Sequence, residues 1–236
     1  MLQKRQQSWF HINPGPITKG SQGLQSNYYP AYLDLKGKKC VVVGGGKIAE
    51  RKVKMLLRAG ASVHVISPEI TGSLRLLKTK RCIRYSSRIY RKGDLKNAWL
   101  TIAATSEQEV NIAVSEDAPF LVNVIDAPEL ANFITPALVQ TGPLQIAVST
   151  GGSSPAMAAS IRRELELLFD KNIGQYLSYI GKMRRKLFET VQDTKIREGF
   201  FKIAGSPRLL DLVRKRGFNA AKKEVMQELS RIEGLK

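Results

Sequence analysis

Residues 38–60, KKCVVVGGGKIAERKVKMLLRAG, constrain the fold more than any other stretch of the chain. Cys40 to Val43 is a short apolar run that enters three glycines, and a helical pattern begins directly behind them. Strand, tight turn and helix in that order aim backbone N–H groups and the positive end of a helix dipole at one point, where a pyrophosphate can sit. The spacing Gly44-x-Gly46-x-x-Ala49 is the dinucleotide fingerprint with alanine in the third place. Gly44 permits the turn, Gly46 lets phosphates approach the backbone, and Ala49 is small enough for the helix to pack on the strand. Gly44, Gly45, Gly46, Lys47 and Ile48 are therefore the first cofactor-binding candidates.

The context supports the motif. Ile48, Val53, Met55, Leu56 and Leu57 give the helix an apolar face, Gly60 stands where a C-terminal cap belongs, and Val63 to Ile66 begins a second apolar run. This is a β-α-β unit. The end of its second strand should carry the group that meets the ribose: an acid suits the 2′-hydroxyl of NAD, an arginine a 2′-phosphate. Here the chain reads Ser67-Pro68-Glu69, with no arginine beside the acid, which favours NAD over NADP. The same glutamate also reads as an ordinary exposed loop carboxylate.

Further along, residues 71–80 read as a short helix and Ile83 to Tyr85 as an edge strand. Ala98 to Ala104 is a continuous apolar run, as expected for a parallel strand covered on both faces. Ala104 and Thr105 stand at its carboxyl end, and Ser106 is positioned to cap a helix starting at Glu107. Phe120 to Ile125 is the next strand. Strands and helices alternating at this rhythm predict an α/β, Rossmann-type doubly wound parallel sheet over residues 28–140.

The rhythm changes at Phe133. Two extended segments flank the turn signal Thr141-Gly142-Pro143, and Ser154-Pro155 opens a helix running to Leu168 or Phe169. Residues 177–236 read as a basic helical domain with breaks near Gly205-Ser206-Pro207 and at Gly217. Residues 1–27, polar and rich in Gln, Ser and Gly, read as a flexible tail.

Ligands of open parallel sheets collect at the carboxyl ends of the strands. Asp126 follows the Phe120–Ile125 strand directly, on the edge that holds the glycine turn and Thr105. On position alone it reads equally as a general acid or base or as a cap of the turn before Pro128.

Composition excludes some classes. No run of eighteen apolar residues is present, so no membrane helix and no membrane partner are expected. Cys40 and Cys82 do not make a disulfide framework, which fits a reducing cytoplasm. His11 and His64 are too few for an imidazole metal site, and no protein-held metal is expected. The net charge of +18 is large, with eighteen basic and ten acidic residues in 161–236. Such a field suits a polyanionic partner or merely solvates helix faces. No nucleic-acid-binding motif accompanies it.

Together these residues resemble the precorrin-2 dehydrogenase and sirohydrochlorin ferrochelatase family of siroheme biosynthesis. The resemblance rests on Tyr29-Pro-Ala-Tyr-Leu-Asp-Leu35, Val43-Gly-Gly-Gly-Lys-Ile-Ala-Glu-Arg-Lys52, Ala103-Ala-Thr105, Asn123-Val-Ile-Asp-Ala-Pro128, Phe133-Ile-Thr-Pro136 and Ala147-Val-Ser-Thr-Gly-Gly-Ser-Ser-Pro155. It implies NAD-dependent oxidation of precorrin-2 to sirohydrochlorin, with Asp126 at the position of the family's catalytic aspartate. It further implies substrate contacts from Asn123, Ser149, Thr150 and Gly151, and a homodimer joined through 141–176. Some members also insert ferrous iron through the same site. The substrate is a tetrapyrrole ringed by carboxylates, which gives the basic surplus a use. The alternative reading is an NAD-binding regulatory module, which shares the glycine turn and needs no chemistry from Asp126.

Overall fold

The structure, a computed structural model, describes residues 28–233. The tail expected over 1–27, with His11 in it, lies outside the described residues. Five short strands, β1 Lys39–Val43, β2 Ser62–Ile66, β3 Ile83–Ser86, β4 Leu100–Ala103 and β5 Leu121–Val124, form one parallel sheet in the order β3-β2-β1-β4-β5, with the more polar β3 at one edge. The central strands are apolar on both faces because helices cover both. Helices α1 (Lys47–Arg58) and α2 (Gly72–Thr79) bury Ala49, Val53, Leu56 and Leu74 against Cys40, Val42, Val63, Val65 and Ile102. Helix α3 (Gln108–Asp117) places Val114 on the opposite face, with Val41, Val43, Ala103 and Val124. The chain switches direction between β1 and β4, and the carboxyl edge there is the expected ligand crevice.

Strands β6 (Ala137–Thr141) and β7 (Leu144–Val148) form the hairpin that Thr141-Gly142-Pro143 announced, closed by the two-residue loop Gly142–Pro143. Gly142 has φ +55°, and a Cβ there would meet the Gly174 carbonyl oxygen at 2.8 Å. Helix α4 (Pro155–Leu168) starts as read, with the Ser154 hydroxyl accepting from the Met157 N–H. Behind it lie α5 (Lys171–Thr190), α6 (Thr194–Ala204) and α7 (Pro207–Glu233), sharing a second core of Ile173, Tyr176, Leu187, Phe200, Leu209, Val213 and Val225. Gly217, at φ +78°, interrupts α7 where a break was expected. Helix α5 runs unbroken across residue 176, and the chain breaks instead at 191–193, where the Asp193 carboxylate caps α6. Among the described residues no helix is long and apolar enough to cross a membrane.

Candidate functional site

The three glycines at the end of β1 do three different things. Gly44 is buried at φ +119°, and a Cβ there would meet the Ala104 carbonyl oxygen at 2.2 Å. Gly45 takes an ordinary φ, but its Cβ would fall 1.8 Å from the Glu69 carbonyl oxygen and 2.8 Å from Ser67 Oγ. Gly46 has neither constraint: its φ is −78°, it is exposed, and a Cβ would meet nothing within 4 Å. Gly44 and Gly45 are thus required by the protein's own packing, whereas the space above Gly46 is kept free. Gly46 is also the N-cap of α1, and no side chain caps the helix there. The first backbone N–H that turns back into the helix is that of Glu50, bonded to the Gly46 carbonyl at 2.9 Å. Exposed Lys47 and Ile48 leave their N–H groups directed at open space at the positive end of the helix dipole. The donor set fits a dinucleotide diphosphate.

Beside the cradle, the loop Ser67–Glu69 leaves the end of β2. Ser67 is buried and donates its N–H to the Ser86 carbonyl at 3.2 Å, and the Pro68 carbonyl accepts from the hydroxyls of Tyr85 and Ser87. The Glu69 side chain is exposed. Sequence reading passed over two residues that fix this loop. The Thr71 N–H donates to the Gly45 carbonyl, and the Thr71 hydroxyl donates to Glu50 at 2.7 Å while capping α2. Lys54 and Thr71 hold the Glu50 carboxyl down at about 2. An acid in the first turn of α1 and a threonine heading α2 were the available signals.

On the far side of β1, Ala104 donates its N–H to the Val43 carbonyl. Thr105 and not Ser106 makes the turn into α3. Its hydroxyl accepts the Glu107 N–H at 2.8 Å, its carbonyl accepts from Asn111, and the helix starts one residue late at Gln108 with no side-chain cap. Thr105 reaches that N–H two residues on, which leaves Ser106 to bond the Glu107 side chain instead.

Asp126 lies two residues past β5 at φ +61°, in the left-handed region that few non-glycine residues occupy. It does not cap the next turn: the 3-10 turn Pro128–Leu130 has Ala127 at its N-cap and no side-chain cap. Among the described residues Asp126 makes no hydrogen bond and no ion pair, and it is exposed on the edge that carries Gly46. Arg81 and Asn97 share this backbone region, but neither stands at the carboxyl edge of the sheet beside the glycine turn.

Asn123 is 8% exposed and donates to the Phe133 carbonyl at 3.1 Å, while its Oδ1 has no partner. The chain then enters the hairpin at Ala137, opposite Val148, so Ser149, Thr150 and Gly151 follow at the same open end. The Ser149 hydroxyl accepts the Gly151 N–H and the Thr150 hydroxyl accepts the Ser154 N–H, winding 149–154 into a tight loop with Gly151 and Gly152 at positive φ. Tyr32 straps the segment before β1 to the hairpin through its hydroxyl and the Gln145 carbonyl. His64 is half-buried with a ring nitrogen 2.9 Å from Ser86 Oγ, and burial followed by Lys39 lowers its pKa.

Known proteins match this chain over both the sheet and the hairpin segment. The profile of the family described as "Putative NAD(P)-binding" matches residues 31–137, and that described as "Sirohaem biosynthesis protein central" matches residues 141–167. A siroheme synthase of Methylobacillus flagellatus is 40% identical over 173 residues, covering 71% of this chain and 37% of that protein. One from Mannheimia succiniciproducens is 33% identical over 208 residues, covering 87% of this chain and 44% of that protein. The chain thus spans less than half the length of these curated relatives. A solved structure of SirC, precorrin-2 dehydrogenase, superposes with a TM-score of 0.71 at 26% identity, covering 88% of this chain and all of SirC.

Proposed function

Because this chain belongs to the siroheme synthase family, in its precorrin-2 dehydrogenase module, we propose that it oxidises precorrin-2 to sirohydrochlorin with NAD. The observation that carries this reading is Asp126: a carboxylate held in the left-handed region, capping nothing and paired with nothing, on the edge that bears the open cradle at Gly46.

Dehydrogenation removes a hydride from one carbon of the substrate and a proton from another position, two electrons and two hydrogens in all. Nicotinamide, when bound, supplies the hydride acceptor. Asp126 accepts the proton, its carboxylate standing at the edge of the crevice with no structural partner to occupy it. The free N–H groups after Gly46 hold the diphosphate, with Gly44, Gly45, Lys47 and Ile48 shaping the cradle. Ser67, Pro68 and Glu69 meet the adenosine ribose, where the carboxylate of Glu69 favours a 2′-hydroxyl over a 2′-phosphate. Ala104 and Thr105 border the nicotinamide. Asn123, Ser149, Thr150 and Gly151 line the substrate side, and the basic surface attracts the carboxylate rim of the macrocycle.

The reading includes a cytoplasmic homodimer. Helix α4 leaves Met157 56%, Leu167 83% and Leu168 51% exposed, a stripe that a second copy would cover. The test is to incubate the purified chain with precorrin-2 and either NAD or NADP and to follow reduced cofactor and sirohydrochlorin together. Product with NAD, and less with NADP, is expected. Cofactor binding without turnover would instead establish a regulatory module.

A further inference from the structure

A charged side chain buried without a counter-charge is uncommon, because desolvation is not repaid. Helix α1 contains one. Lys52 is only 9% exposed, and no described residue gives its amine a hydrogen bond or an ion pair. The one charged group that acts on it is Arg51, which repels it. Burial first, and Arg51 second, pull its pKa from 10.5 to about 8.

Helix geometry indicates where the amine goes. Glu50 bonds to Thr71 and so marks the flank of α1 that faces α2. Two residues on is about 200° around the helix, which puts Lys52 on the other flank, toward β4 and β5. Side chains in a helix lean toward its N-terminus. The amine is thereby carried back toward the level of Ile48 and the carboxyl edge of the sheet.

The Lys52 stem is what is buried, and its amine keeps some contact with solvent; two polar atoms on this side are fully buried without a partner, Asn123 Oδ1 and Thr135 Oγ1. Asn123 pairs in register with Ile102, whose side chain belongs to the core layer under α1, and its amide is tied to Phe133, two residues before Thr135. Lys47, Arg51 and Lys54 add positive charge to the first two turns of α1, where the dipole is already positive and Glu50 is the one acid. The Lys52 ammonium and the Thr135 hydroxyl can each donate to an anionic oxygen, and the net positive charge of these turns favours one; Asn123 Oδ1, an acceptor, is left for a donor group of the same ligand.

We infer that Lys52 is kept buried and unpaired to receive an anionic oxygen of a ligand bound at this edge, and that the free protein gives up stability for it. The oxygen belongs to the diphosphate of the dinucleotide or to a carboxylate of the macrocyclic substrate. This rests on the reading of the edge as the reaction site, and it makes Lys52 a binding residue that neither the glycine motif nor Asp126 implies.

The test is Lys52→Met in the full chain, which keeps the length and apolar stem and removes the charge. Three quantities are measured: the melting temperature without ligand, the affinity for NAD by calorimetry, and the affinity for uroporphyrin, a stable porphyrin octacarboxylate, by its fluorescence. The expected result is a melting temperature unchanged or raised, by about 5 °C or more if the charge is as costly as its burial implies. With it comes a loss of at least tenfold in affinity for one of the two probes. Loss for NAD alone assigns the diphosphate, and loss for uroporphyrin alone assigns the substrate carboxylate. A lowered melting temperature, or a variant that fails to fold, would show that Lys52 serves the fold and would overturn the inference. So would unchanged affinity for both probes. A parallel Gly46→Val variant separates this failure from that of the proposed function. If it loses NAD binding while Lys52→Met alters neither affinity, only the role of Lys52 is wrong.

Discussion

Adding one methyl group to each of two adjacent glycines should have opposite consequences. At Gly45 the new carbon lies 1.8 Å from the Glu69 carbonyl oxygen, 2.9 Å from its carbon and 2.8 Å from Ser67 Oγ. Two of those three atoms are backbone, and the Thr71 N–H bond to the Gly45 carbonyl ties the same loop to the turn. The loop cannot yield without breaking that bond, so Gly45→Ala belongs at the upper end of overpacking costs, about 3 kcal/mol. For a chain of this size that corresponds to a fall in melting temperature of roughly 6–12 °C. At Gly46 the new carbon meets nothing within 4 Å, and φ is already −78°. Gly46→Ala then costs only the difference between glycine and alanine as an N-cap, about 0.5 kcal/mol, or roughly 1–2 °C. Affinity for NAD runs the other way for Gly46: Ala should weaken it and Val should abolish it, because the phosphate occupies that space. Thermal denaturation followed by circular dichroism, with NAD titration of each folded variant, checks both halves. Gly46→Val binding NAD as tightly as the natural chain would refute the cradle, and Gly45→Ala melting at the natural temperature would refute the packing argument.

Other expectations are simpler to state. Because the folded pKa of Lys52 is about 8 against an ordinary 10.5, the unfolded chain binds more protons between those values. The cost of the buried charge, about 3 kcal/mol, is therefore fully present below pH 8 and fades as pH rises toward 10.5. The gap in melting temperature between Lys52→Met and the natural chain should narrow over that range, and a gap independent of pH would count against it. If the surplus of lysine and arginine steers a polycarboxylate, kcat/KM for precorrin-2 should fall as the screening length shrinks from about 30 Å to about 8 Å, and a flat salt response would assign the charge to solvated helix faces.

The sheet was legible because its physics is local. Parallel strands covered on both faces must be largely apolar, and Cys40–Val43, Leu100–Ala103 and Leu121–Val124 are, with Thr101 and Asn123 as buried polar exceptions. The hairpin and α4 were equally readable, since Thr141-Gly142-Pro143 and Ser154-Pro155 are signals with a mechanism. The break after α5 was not, because Val191-Gln192-Asp193 holds neither glycine nor proline and only the Asp193 cap gives it away. Ser106 and Thr105 are both capable of bonding a helix start, and the choice between them depends on a backbone path that spacing does not encode. At the candidate site, the position of Asp126 was legible from the strand that precedes it, but its left-handed backbone and its freedom from capping were not. Lys52 was invisible for a different reason. A lysine on an amphipathic helix reads as solvated, and its burial depends on what packs over that flank of α1.

Asp126 is the proposed proton acceptor, and Asp126→Asn tests that role most directly. The substitution keeps the shape and the tolerance for a left-handed backbone while removing the base. In an assay of NADH formation from precorrin-2, it should lower the rate by about 10²–10⁴-fold with NAD affinity unchanged, since the diphosphate is held by backbone groups after Gly46. A near-normal rate would contradict the central claim.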